Sequence, residues 1–166
     1  MNVFLAYNSG FLNYPLLCGA IDLDGVLDPF IEVLQGGTYH SASANAGTGT
    51  FARLEDPRFH LEDLVNNGIY LQGTQNYTLD FAQLTPGDTV TLSALGVRNS
   101  GGTARRGRVA LSTGQSLVLD ASTAAASNMV VFDPVTVPAD GRIQLSISVE
   151  PGATYAYLHG VMLEFS

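Results

Sequence analysis

Arg142-Ile143-Gln144-Leu145-Ser146-Ile147-Ser148-Val149-Glu150 is the stretch whose reading decides the fold. In an extended chain successive side chains point to opposite faces. Ile143, Leu145, Ile147 and Val149 therefore share one face, and Gln144, Ser146, Ser148 and Glu150 share the other. A strict period of two with one apolar side marks a strand that covers a core and meets water behind it. Pro138-Ala139-Asp140-Gly141 before it and Pro151-Gly152 after it are turn formers, so the strand has defined ends.

The same grammar runs through the neighbouring sequence. Thr89-Val90-Thr91-Leu92-Ser93-Ala94-Leu95 puts Val90, Leu92 and Ala94 on one face and Thr89, Thr91 and Ser93 on the other. Before it, Tyr77-Thr78-Leu79-Asp80-Phe81 alternates and Leu84-Thr85-Pro86-Gly87-Asp88 turns, with Pro86-Gly87 suited to the centre of a type II turn. Arg106-Gly107-Arg108-Val109-Ala110-Leu111, Ser116-Leu117-Val118-Leu119-Asp120 and Met129-Val130-Val131-Phe132 read as further strands, the last ended by Asp133-Pro134. Residues 121–127 are small and polar, a loop or rim, and 155–165 close the domain with Leu158, Val161, Leu163 and Phe165. Short strands at a spacing of about 8–12 residues, separated by Pro/Gly turns, predict an all-β, antiparallel β-sandwich of jelly-roll type.

The first part of the chain is less regular. Phe4-Leu5-Ala6-Tyr7 and Leu16-Leu17-Cys18-Gly19-Ala20 suit strands, and Phe30-Ile31-Glu32-Val33-Leu34 suits a strand or a short helix. Residues 36–50 are loose in Gly, Ala and Ser; 59–65 suit one or two helical turns, ended by Asn66-Asn67-Gly68. Residues 1–70 are expected to form extra strands or an arm reaching a neighbouring subunit, and 77–166 the clearest sandwich core. Without an internal repeat or linker, 1–166 reads as one domain.

Composition narrows the function classes. The 166 residues are 46% hydrophobic, enough for a core without disulfides, and only 13% charged, against about 25% in ordinary soluble domains. A net charge of −8 argues against nucleic acid and anionic membranes as partners. All 7 basic residues are arginines, whose planar forks suit bidentate contacts at interfaces. The single Cys18 excludes an intramolecular disulfide, and its apolar neighbours predict a buried thiol. The amino end lacks the basic start of a secretory signal and no apolar run approaches 18 residues, so a soluble protein made in a cytoplasm is expected.

Asp22, Asp24 and Asp28, with Glu32, bring four carboxylates into eleven residues. Oxygen clusters of this kind can hold calcium, although the spacing is not that of an EF-hand and a solvated turn is the plainer reading. No other cofactor is suggested. Arg98, Arg105, Arg106 and Arg108 concentrate positive charge on an acidic chain, and Arg105, Arg106 and Arg108 are expected to anchor carboxylates of a partner. His40, His60 and His159 fall in no metal-binding spacing. Ser9, Asp56 and His60 occur in a Ser-Asp-His order, but Asn8-Ser9-Gly10 lacks a nucleophile elbow, so an enzyme is not expected.

Four segments carry a resemblance: Tyr77–Phe81, Leu84–Asp88, Gly96-Val97-Arg98-Asn99-Ser100-Gly101-Gly102 and Tyr155-Ala156-Tyr157-Leu158-His159-Gly160-Val161. Over somewhat more than half the chain it resembles the galactose-binding-like, carbohydrate-binding-module-like sandwiches attached to bacterial hydrolases and surface proteins. That resemblance implies sugar binding on rim loops or a concave sheet face, here by Tyr155, Tyr157, His159, Arg98 and Asn99. The chain has no Trp, so tyrosines would supply the platform. A stand-alone acidic sandwich is also similar, at the level of fold, to decoration, head-spike and fibre proteins of tailed bacteriophages. The first expectation is accordingly a virion or particle-surface structural protein, homo-oligomeric and docked on other particle proteins; the alternative is a carbohydrate-binding module for cell-surface glycan.

Overall fold

The computed structural model describes residues 7–8, 17–18, 31–38, 40–43, 67–96, 98, 105–121 and 129–166. Among these residues there are fourteen strands and no helix, arranged in three antiparallel sheets. The alternating stretch is β12 (Ile143–Val149), at the middle of a six-stranded sheet. β6 (Asn76–Ala82) pairs with it on one side and β8 (Arg106–Leu111) on the other. β9 (Ser116–Asp120) lies beyond β8, while β3 (Ile31–Thr38) and then β2 (Leu17–Cys18) lie beyond β6.

Register turns the alternation into rows of side chains. Leu79, Leu145 and Leu111 stand across from one another, as do Tyr77, Ile147 and Val109. All six are buried, and each of the five aliphatic ones contributes roughly 1.5–3 kcal/mol by leaving water. The facing sheet is centred on β7 (Thr89–Leu95). β14 (Gly160–Phe165) flanks it on one side, with β1 (Tyr7–Asn8) beyond. β10 (Met129–Val131) and β11 (Val135–Thr136) flank it on the other. Val90, Leu92, Ala94, Val161 and Leu163 from this sheet join Leu79, Phe81 and Leu145 in one apolar cluster. The chain is thus an antiparallel β-sandwich, crossing between its two larger sheets from β6 to β7, β7 to β8, β9 to β10 and β11 to β12.

The expected turn at Thr85–Asp88 is present. Gly87 has φ of 92° and the Asp88 N–H donates to the Thr85 carbonyl at 3.2 Å, which needs a residue free of a Cβ at the third position.

The structure sharpens some expectations and corrects others. The closing segment is two strands, β13 (Tyr155–Leu158) and β14. At His159 the ladder is interrupted, and its backbone N–H donates to the Leu95 carbonyl at 2.7 Å. β13 belongs to a third sheet, with β5 (Asn67–Gln72) and β4 (His40–Ser43). Residues 31–34, left between strand and helix, are strand, and β3 runs on through Gly36 and Gly37, read as loose chain. Residues 67–68, read as the end of a helix, begin β5, and Val135–Thr136 is a strand that the preceding Asp133-Pro134 concealed. The helical reading of 59–65 falls outside the described residues.

Gly107 shows why the small sheet packs where it does. A Cβ there would lie 2.8 Å from Ile147 Cδ1 and 3.0 Å from Ala156 Cβ, so β8 and β13 approach through the missing side chain.

A candidate ligand-binding face

The small sheet has two unlike sides because its strands alternate. Ala156 and Leu158 of β13 enter the core with Ile69 and Leu71 of β5. Tyr155 and Tyr157 consequently fall on the opposite side, and so does Tyr70, which faces Tyr157 directly across the ladder. His40 of β4 occupies the register position across from Tyr70 on its other side. The centroids of the three tyrosine rings are 6.2 Å (Tyr70–Tyr155), 6.1 Å (Tyr70–Tyr157) and 6.3 Å (Tyr155–Tyr157) apart, within the range in which aromatic rings attract one another. Tyr157 also stacks on His159, at 6.4 Å and an interplanar angle of 20°.

Two guanidiniums lie on these rings. The Cζ atom of Arg105, the residue just before β8, is 5.7 Å from the Tyr155 centroid and 5.5 Å from that of Tyr157. Its Nη1 donates to the Tyr157 hydroxyl oxygen at 2.7 Å. Arg98 Cζ is 5.7 Å from the Tyr157 centroid. These are cation–π distances, and burial strengthens the contact. Tyr157, Arg105 and His159 form a buried floor; Tyr70, Tyr155 and Arg98 are half-buried and reach solvent. Burial, and secondarily the charge of Arg98, lowers the pKa of His159 to about 4, so this imidazole is neutral at pH 7.

Charge pairing separates these arginines from Arg108 and Arg142. Arg108 is paired with Glu150 at 2.7 Å, and Arg142 forks onto Asp80, with Nε to Oδ1 at 3.3 Å. Among the described residues Arg98 and Arg105 have no carboxylate partner, and the Nε of each is buried without a hydrogen bond.

Of the residues the sequence pointed to, Tyr155, Tyr157, His159 and Arg98 come together on this face, while Asn99 lies outside the described residues. The expected trio Arg105, Arg106 and Arg108 is divided between two sides of β8. Arg105 is buried against tyrosines, on the side of β8 that carries Gly107 and Val109. Arg106 and Arg108 take the other side, opposite Asp120 and Val118. The alternation of a strand imposes that division. Asp22, Asp24, Asp28, Ser9, Asp56 and His60, and the side chain of Cys18, lie outside what is described. Among the described residues no three His, Cys, Asp or Glu side chains converge.

Tyr70 was missed by the sequence reading. Ile69-Tyr70-Leu71-Gln72 does alternate, but the Asn67-Gly68 before it suggested a stop, and its pairing with Tyr157 spans about half of the chain.

The sequence matches no protein-family model and no curated protein. Among solved structures it is similar to an exo-β-1,3-galactanase from Phanerochaete chrysosporium, with 14% identity and a TM-score of 0.44, over 79% of this chain and 27% of that one. It is similar also to a family 35 carbohydrate-binding module from Clostridium thermocellum, with 11% identity and a TM-score of 0.47, over 80% of this chain and 91% of the module. A third is the enzymatically active domain of tailspike protein 4 of bacteriophage CBA120, with 14% identity and a TM-score of 0.43, over 81% of this chain and 19% of that one. The chain thus spans about a quarter of the length of the galactanase. With each of these TM-scores below 0.5, the assignment of an antiparallel β-sandwich stands on the strand registers themselves.

Proposed function

We propose that the protein is a non-catalytic glycan-binding module whose binding face is the tyrosine side of the small sheet. The observation that carries this reading is the three-ring cluster of Tyr70, Tyr155 and Tyr157 backed by Arg98 and Arg105. Sugar rings present C–H faces that pack on aromatic surfaces, and hydroxyls that accept from guanidinium N–H groups; a binding site of this kind mixes apolar walls with a few placed donors. The cluster holds groups that bind, and the His159 imidazole within it is closed off from solvent.

The particle-structural reading, as a decoration, head-spike or fibre protein, expects burial of apolar rim and arm residues between subunits, with Arg105, Arg106 and Arg108 pairing with carboxylates of a partner. These arginines face two sides of β8, so the geometry favours the glycan reading. Screening the purified protein on a glycan array, followed by calorimetry on the hits, tests it. Tyr155→Ala and Tyr70→Ala are each expected to weaken binding about tenfold or more, the scale of losing about 1.4 kcal/mol of ring contact. An array without a single hit, or binding unaffected by either substitution, overturns the proposal.

A further inference from the structure

We propose that this face selects an acidic saccharide, one that brings a carboxylate to Arg98 and Arg105, over a neutral one. The inference rests on the glycan-binding reading and adds the class of sugar.

The argument begins with charge pairing. The protein carries 15 acidic residues against 7 arginines, so a nearby carboxylate is easy to supply. Arg108 and Arg142, both on open surface, nevertheless have one each. Arg98 and Arg105 sit deeper, where a positive charge gains most from a counter-ion and costs most without one, and among the described residues they have none. Each has a buried Nε without a hydrogen-bond acceptor. Arg105 is only 9% exposed, and its guanidinium donates to the Tyr157 hydroxyl oxygen, not to a carboxylate.

Tyrosine faces offset part of this cost, since the ring quadrupole attracts a cation. They do not neutralise it. Arg98 and Arg105 both lie over Tyr157, so two like charges share one ring. His159 stacks on that same ring as a neutral group. The local field is therefore positive on a protein that is negative overall, and it sits beside half-buried tyrosine surface able to hold a sugar ring. A uronic-acid residue meets both demands at once, with its ring on Tyr155 and Tyr70 and its carboxylate on the arginine forks, whose planar geometry matches a carboxylate. A sulfated sugar offers the same charge in a different shape.

The test uses calorimetric titration of the intact chain, in EDTA and at two ionic strengths. The titrants are a uronic-acid oligosaccharide, the neutral oligosaccharide of equal length, and a sulfated one. The expected result is that the uronate binds at least tenfold tighter than the neutral sugar, and that the gap narrows as salt rises. In Arg98→Gln the gap should close, with the melting temperature within a few degrees of the parent because Arg98 is half-exposed. Arg98→Lys, which keeps the charge and loses the fork, should preserve the salt dependence and lose the preference for uronate over sulfate. Equal binding of acidic and neutral sugars overturns this inference and leaves the glycan reading standing. So does a preference that survives in Arg98→Gln. Sulfate bound as well as uronate overturns the fork geometry and leaves only charge. Failure of all three to bind, alongside an array without hits, overturns both.

Discussion

His159 stacks on Tyr157 and lies near enough to Arg98 for its charge to be felt, wholly out of solvent. Its folded pKa of about 4 is below the ordinary 6.5. The unfolded chain takes up its proton first as acid is added, so His159 contributes stability that is fully present above about pH 6.5 and is lost as the pH falls toward 4. The whole window is worth about 3 kcal/mol at ~1.4 kcal/mol per pH unit. Urea midpoints measured at pH 7 and at pH 4.5 should fall further in the parent than in His159→Gln, since the carboxylates titrate in both. Equal falls would mean that the imidazole protonates freely in the folded protein. Tyr157 offers a second check at this scale. Tyr157→Phe removes the oxygen that accepts from Arg105, leaves a buried guanidinium donor unmet, and is expected to cost about 1–3 kcal/mol in denaturant unfolding.

Strands divide into those whose character could be read locally and those whose character could not. β6, β7 and β12 each put an unbroken apolar series toward the core, and a period of two announces such strands. The run from Ala156 to Leu163 is buried on both sides, so its alternation vanishes and the break at His159 leaves no mark in composition. Gly36 and Gly37 resemble loop, yet they are held opposite Thr78 and Tyr77 by pairing with β6, some forty residues away in sequence. The tyrosine face was half legible for the same reason. Tyr155 and Tyr157 announce a shared face by their spacing, whereas Tyr70 and Arg105 reach it through long-range register. Gly107 on β8 is the position where an element-scale change is most informative. Gly107→Val drives a branched side chain into Ile147 and Ala156 and is expected to destabilise by about 1–3 kcal/mol or more. The small sheet should respond first, which hydrogen exchange of the β13 amides would reveal.

Across the whole molecule, the two sheets are joined at one edge by a side chain acting as a strand. Gln115, in the turn between β8 and β9, accepts from the Asp133 N–H at 2.9 Å and donates to the Asp133 carbonyl at 3.0 Å. The pair reproduces the hydrogen bonding of a backbone ladder between segments of different sheets. Gln115→Ala is expected to cost roughly 1 kcal/mol, the usual net worth of hydrogen bonds open to solvent. Leu145→Ala, at the centre of the core, should cost about 2–5 kcal/mol. If the two substitutions lowered the denaturation midpoint equally, the sandwich would depend on its edge as much as on its interior.

The junction at His159 has a mechanical consequence. One uninterrupted backbone carries β13, where the rings are, directly into β14, which faces β7 through six residue pairs. A long polymer gripped at Tyr155 and pulled along the strand direction would load those pairs in shear, all together, instead of unzipping them one by one. Tension would thus pass from the gripping surface straight into the longest ladder of the five-stranded sheet.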